Sequence, residues 1–181
     1  LTYADHIPVA QGNYAEAGPL YKRSLAINEK ALGPEHPSVA ISLNNLAAFL
    51  KTQGNYAEAG PLYKRSLAIN EKALGQEHPS VAISLTNLAE LFRAQGNYAD
   101  AGPLCERSLA IQKKALGPEH PSVSISLNNL AGLFMAQGNY AEAWPLYKRS
   151  LAIDEKALGP EHPSVARSLN NLAGLFMAQV R

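Results

Sequence analysis

Apolar positions along this chain follow two nested rhythms. Over short stretches they recur at three- and four-residue steps. Leu43, Leu46, Ala47 and Leu50 make one such stripe; Tyr56, Ala59, Tyr63, Ser66 and Leu67 make a second. That spacing is one buried face of an α-helix. The longer rhythm is a repeat. Gly-Asn-Tyr-Ala recurs at Gly12, Gly54, Gly96 and Gly138, 42 residues apart each time, and His-Pro-Ser-Val recurs at His36, His78, His120 and His162 with the same step. Residues 12–53 and 54–95 differ only at positions 34, 44, 48, 49, 50, 51 and 52 and their partners 42 later. Copies this alike point to recent duplication or to consensus design, and one sequence does not separate the two.

Each copy predicts two helices. The first starts near Ser38-Val39, with Ser38 as cap and Pro37 limiting extension backwards. Gly54 stops it, because glycine tolerates the left-handed backbone past a helix end. The second opens at Asn55, with Glu58 three residues on as the reciprocal half of a capping box. Gly75 closes it before the Gln76-Glu77-His78-Pro79 loop, and Pro61 predicts a mild kink. One hairpin cannot bury such a stripe alone, so copies stack, and Ala47 and Ala59 mark close approach. The expected fold is all-α, a solenoid of antiparallel helix pairs. It forms a single array over residues 1–181, with a degenerate half-repeat at 1–11 and units at 12–53, 54–95, 96–137 and 138–179. Asp5 and Pro8 stand where Ala47 and Leu50 stand later, so the first copy is half-formed. Residues 164–179 predict a first helix with an open apolar face at Leu169, Leu172 and Phe176, which favours end-to-end self-association.

The pattern Leu43-x-x-Leu46-Ala47-x-x-Leu50, then Gly54, Tyr56, Ala59-x-x-x-Tyr63 and Ser66, resembles the tetratricopeptide repeat. It departs from that family's form in having Leu and Ala for a Trp and a Gly of the first helix, no closing proline at Glu71, and a period of 42 rather than 34. The long period and the Ala-Leu-Gly-Pro-Glu-His-Pro linker are similar to kinesin light chains and their bacterial relatives. The resemblance covers residues 12–179 and implies a right-handed superhelix whose concave groove holds peptide ligands.

With the stripe facing inward, a helical wheel puts Ile41, Asn45, Ala48 and Thr52 on the opposite side. The resemblance makes that side the groove. Its row is Ile41, Ile83, Ile125 and Arg167 beside Asn45, Asn87, Asn129 and Asn171, flanked by Asn44, Asn128 and Asn170, with Thr86 interrupting. Isoleucine takes apolar side chains of a bound segment, and a carboxamide both donates to and accepts from its backbone. The alternative use of the asparagines is to bond neighbouring helices together. The groove edge varies between copies: Lys51, Arg93, Met135 and Met177 share one position, and Ala48, Glu90, Gly132 and Gly174 another. With Arg167 of the row, three cations against one acid suit an acidic peptide; the bland reading is solvated surface charge.

Composition adds exclusions. A hydrophobic share of 46% with 17% charged residues is that of a folded chain, and a net charge of +1 gives no reason to invoke nucleic acid or an anionic membrane. No apolar run nears the roughly 20 residues of a membrane span. Cys105 is the single cysteine, which precludes an internal disulfide and fits a reducing, cytoplasmic setting. It takes the stripe position of Tyr21, Tyr63 and Tyr147, as an inert core residue beside a local void. Trp144, at the place of Gly18, Gly60 and Gly102, is expected to pack on its neighbour. The four histidines sit one repeat apart, roughly 10 Å between neighbours by helix-packing distance, too far to share a zinc ion, so a loop role such as capping is expected. There is no repeated nucleophile beside Glu35-His36 and no phosphate-cradling glycine loop. The expectation is a non-enzymatic, cofactor-free scaffold that binds a protein or peptide. The alternatives are a self-associating array, or the sensor arm of a larger signalling ATPase.

Overall fold

In a computed structural model the described residues run from Val9 to Gln179; Asp5 and Pro8 lie outside them. Among the described residues there are eight helices and no strand: α1 (Val9–Leu32), α2 (Pro37–Thr52), α3 (Tyr56–Leu74), α4 (Pro79–Ala94), α5 (Tyr98–Leu116), α6 (Pro121–Ala136), α7 (Tyr140–Leu158) and α8 (Pro163–Gln179). The chain divides into two compact units, Leu1–Ala73 and Leu74–Arg181.

The punctuation between helices is chemical and repeats. The first helices begin at proline, one residue before the serine expected to cap them. Proline has no amide to satisfy, so the first free N–H belongs to the serine. The histidine in front reaches it: Nδ1 of His36, His78, His120 and His162 accepts from Ser38, Ser80, Ser122 and Ser164 at 3.1–3.2 Å. At the other end, the Gly54 amide donates to the Lys51 carbonyl and the Asn55 amide to that of Leu50, at 3.0 and 2.9 Å. This is a Schellman closure, with Gly54 at φ 77. The same pair of bonds recurs at Gly96–Asn97 and Gly138–Asn139. It also explains why the expected capping box is incomplete. The asparagine amide that a carboxylate should reach is already spent on the preceding helix. Asn97 bonds Asp100 through its side chain alone, and Asn139 makes no side-chain cap bond. The second helices run unbroken through Pro61, Pro103 and Pro145.

In the first unit Val39, Ala40, Leu43 and Ile69 form the core, with Leu25 and Leu62 against it. The expected stripe of α2 is buried, and Val39, Ala40 and Ser42 are buried as well. Alanine lets the α2 and α3 backbones close enough for the Ser66 hydroxyl to donate to the Ala40 carbonyl at 2.8 Å, which satisfies a fully buried oxygen. Asn28 Nδ2 donates to Ser42 Oγ at 2.8 Å.

The second unit repeats this grammar over five helices. Ser108 donates to the Ala82 carbonyl and Ser150 to that of Ser124, at 2.9 and 3.0 Å. Fourteen residues separate the members of two further buried pairs, Gln112–Ser126 and Asp154–Ser168. One apolar cluster gathers Ala89, Ala101, Cys105, Leu109, Val123, Leu127, Leu130, Leu133 and Ile153; another gathers Ala131, Ala143, Tyr147, Leu172 and Leu175. Leu172, expected on an open face, is buried, while Leu169 and Phe176 are about half exposed. Trp144 packs on the next helix, its ring 5.0 Å from that of Phe176. Along the loops, exposed lysines and arginines pair with glutamates: Lys72 with Glu35, Lys114 with Glu77, and both Arg149 and Lys156 with Glu119.

Candidate functional site

The rows read from the helical wheel stand on the outer side of the first helices. Ile41, Ile83 and Ile125 are 61%, 55% and 45% exposed, large fractions for a side chain that gains about 1.5–3 kcal/mol from full burial. Asn45 and Arg167 are exposed; Asn87, Asn129 and Asn171 are half-buried. At the edge, Arg93 is exposed, and Lys51, Glu90 and Met135 are half-buried.

In the second unit part of this row lines a cleft of about 210 Å³. Arg93, Ile125, Asn129, Arg167 and Asn171 from the predicted set meet there with Asn128, Gly132 and Tyr147. Ile83, Asn87, Glu90 and Met135 do not line it. Met135 is nevertheless close, its sulfur accepting from the Tyr147 hydroxyl at 3.9 Å. Burial pushes the Tyr147 phenol above its ordinary range, and the Arg93 guanidinium partly offsets this, so the group is a neutral hydroxyl there. Gly132 keeps the floor open. A methyl group added to it would stand 3.5 Å from the Tyr147 oxygen and 4.0 Å from Arg93 Nη1.

Of the two uses foreseen for the asparagines, bonding between neighbouring helices is seen at Asn128. Asn128 is an internal strut: buried, it donates to Ser150 Oγ at 2.5 Å and Ser168 Oγ at 3.2 Å, tying α6 to α7 and α8. Its Oδ1 accepts from Asn171 at 3.1 Å, so Asn171 belongs partly to that network. At the equivalent place in α4, Thr86 pairs with Ser108 across 2.9 Å.

The first unit has a different cleft, about 370 Å³, lined by Tyr14, Ala17, Tyr21, Asn45, Ala48, Phe49 and Thr52. Three rings frame it, Phe49 standing 6.1 Å from Tyr14 and 5.5 Å from Tyr21. Ile41 and Lys51 lie outside it. Sequence reasoning missed all three rings as walls of this cleft. The available signal was the Phe49-Leu50 order, which the other copies invert at Leu91-Phe92, Leu133-Phe134 and Leu175-Phe176.

Catalytic chemistry finds little here. Cys105 is buried, and its thiol is pushed up to about 11 by that burial, with Arg93 opposing and Glu90 and Glu106 reinforcing. Among the described residues no three His, Cys, Asp or Glu side chains converge as a metal site, and no helix is long and apolar enough to cross a membrane.

Hairpins of near-identical sequence, each closed by a serine–carbonyl bond and presenting a variable outer row, define a helical-repeat scaffold. The chain belongs to the tetratricopeptide repeat family, whose pattern matches residues 2–72, 38–101, 80–156 and 122–179. Two solved structures of nearly identical TPR-like repeats from a kinesin light chain candidate of Podosopora anserina, one of them a point-substituted form, are each 38% identical to it. The substituted one has a TM-score of 0.79 and the other 0.77. The matches cover 94% of this chain and 80% and 81% of those chains. BtubC (BKLC) from P. vanneervenii shares the fold at a TM-score of 0.81 with 22% identity, over 94% of this chain and 68% of that one. No curated protein matches the sequence. The fold is thus an all-α solenoid, and the chain is a protein-interaction repeat scaffold related to kinesin-light-chain-like repeats.

Proposed function

We propose that each unit holds an extended polypeptide segment against the outer row of its first helices, and that the protein acts by binding, without catalysis. In the first unit Ile41, Asn45 and Lys51 make contact; in the second, Ile83, Asn87, Glu90, Arg93, Ile125, Asn129, Met135, Arg167 and Asn171. The observation that carries this reading is the exposure of isoleucine at the same place in three successive first helices. A single exposed isoleucine is ordinary, but Ile83 and Ile125, repeated beside Asn87 and Asn129 within the second unit, make a periodic apolar and polar surface. That surface matches the alternation of side chain and backbone in an extended chain. Basic edge residues favour an acidic segment.

A random-peptide display library selected on the intact chain tests it. Selected peptides bind an Asn87→Ala, Arg93→Ala double variant at least about tenfold more weakly, a loss of about 1.4 kcal/mol, with the thermal midpoint unchanged. Equal affinity removes the row as the binding surface. A second reading, self-association, is favoured by Leu169, Phe176 and Met177. They are 49%, 52% and 70% exposed, while their counterparts Leu127, Phe134 and Met135 one repeat earlier are buried or half-buried. Sedimentation that stays monomeric across a wide concentration range counts against it.

A further inference from the structure

Two arginines face the cleft of the second unit, and neither guanidinium makes a hydrogen bond or an ion pair among the described residues. None of the eight residues lining that cleft is acidic. An arginine is a planar fork of donors that is always charged, and two forks at one small opening leave two positive charges unmatched. Neutral donors stand beside them. The Tyr147 hydroxyl and the Arg93 guanidinium converge above the bare Gly132 backbone, and the Asn129 side chain lines the same wall.

The combination is peculiar to this one step of the array. The position of Arg167 is isoleucine in the other copies, at Ile41, Ile83 and Ile125. One repeat before the cleft, the counterparts of Arg93, Gly132, Tyr147 and Arg167 are Lys51, Glu90, Cys105 and Ile125. That earlier step carries a carboxylate where the cleft has a hydrogen atom, has no phenol, and lacks the second guanidinium. A surface of drifting charges would scatter such changes over the array. Here three differences from the preceding step, all increasing the affinity for an anion, fall around one opening.

We propose that this cleft is a discrete site for a phosphate monoester, the phosphorylated side chain of a bound polypeptide. A monoanionic carboxylate would leave one guanidinium unmatched. A phosphate monoester brings nearly two negative charges and three acceptor oxygens, enough for both forks and a hydroxyl donor. The polypeptide carrier rests on the function proposed above; the anion chemistry rests on the cleft alone.

The test is an amide-resolved NMR titration of the full chain at constant ionic strength. Four small probes are used: N-acetyl-O-phosphoserine amide, N-acetylglutamate amide, inorganic phosphate and chloride. The phosphoserine probe is expected to give saturable shifts centred on Asn129, Gly132 and Tyr147, with an affinity at least about tenfold above that of the glutamate probe. Arg93→Met with Arg167→Ile, each residue taken from another copy of the repeat, removes saturation and leaves the thermal midpoint in place. Gly132→Glu is a second, independent variant that supplies an internal carboxylate as in the Glu90 copy, and it also blocks the probe. Glutamate binding as tightly as phosphoserine overturns the proposal in favour of a carboxylate site. Saturation by inorganic phosphate but not by phosphoserine overturns the side-chain assignment. Shifts elsewhere, or shifts that persist in both variants, overturn the site. Because the probes are small, a failed peptide selection with intact probe binding discounts the peptide-binding row and leaves the cleft standing.

Discussion

The two units build clefts of opposite character on the same helical hairpin. In the first, Tyr14, Tyr21 and Phe49 frame an aromatic opening beside Asn45. In the second, two arginines, three asparagines and a phenol frame a polar one. Part of the difference traces to the order of two adjacent residues. Leu133 is fully buried and Phe134 half-buried, whereas in Phe49-Leu50 it is leucine that is buried and the ring that faces the cleft. Gly18 leaves room for that ring: a methyl group there would come within 3.2 Å of Phe49, while at Gly102 the nearest atom, on Leu133, is 3.7 Å away. A repeat scaffold thus changes its surface chemistry by exchanging neighbours across the boundary of the buried stripe, with the serine–carbonyl bond inside each hairpin untouched.

The largest effect that sharpens this contrast comes from the stripe itself. Leu133→Ala removes a side chain that is 1% exposed and should cost about 2–5 kcal/mol. Phe49→Leu, at the equivalent position of the first unit, should cost less than about 1.5 kcal/mol, because the site already fits leucine in three other copies. Urea unfolding of the two variants gives both numbers, and similar losses would erase the distinction between core and cleft at this position.

Next comes the strut beside the polar cleft. Asn128→Ala removes one hydrogen bond from each of two buried serine hydroxyls and one from Asn171, at an expected cost of about 1–3 kcal/mol for the three together by the same measurement. A loss below a few tenths would show the network to be ornamental.

The alkaline limb of stability offers a smaller and more specific handle. Cys105 is raised from 9.0 to about 11 in the folded chain, so between those values the folded state holds a proton the unfolded state has released. Stability is therefore fully present below pH 9 and declines as pH rises towards 11. Cys105→Ala should flatten that decline relative to the parent. The Tyr147 phenol, also raised, adds to the loss at the top of the range. An identical pH slope in variant and parent would contradict this. The smallest effect is at the loops, where Lys72→Ala breaks an exposed pair with Glu35 and should change stability by less than about 0.5 kcal/mol.

How much of this was legible depended on which force set each feature. The helices and the inward stripe of Leu43, Leu46, Ala47 and Leu50 follow from apolar spacing repeated four times, and burial obeys that spacing. The ends of the helices were harder. Ser38 is a good cap by type, yet proline at the first position moved the start back and gave the role to His36. The glutamate of the capping box lost its target because the Asn55 amide serves the Schellman turn. Ser66, Ser108 and Ser150 lay on a readable stripe, but their carbonyl partners depend on how closely two backbones approach, which spacing does not encode. Ile125, Asn129, Arg167 and Asn171, which line the polar cleft, were singled out by facing direction and family resemblance together. Tyr147 and Gly132 were not, since Tyr147 belongs to the buried stripe and Gly132 contributes by lacking a side chain.

The central claim is that repeated residues build the scaffold while the residues on which copies disagree choose the ligand. Its most direct measurement compares peptide affinities across two chains: the parent, and a variant in which Arg93→Met and Arg167→Ile restore residues of other copies. Peptides selected on the parent are predicted to lose at least about tenfold in affinity for the variant while both chains melt at the same temperature. The same peptides bound equally well by both chains would contradict it.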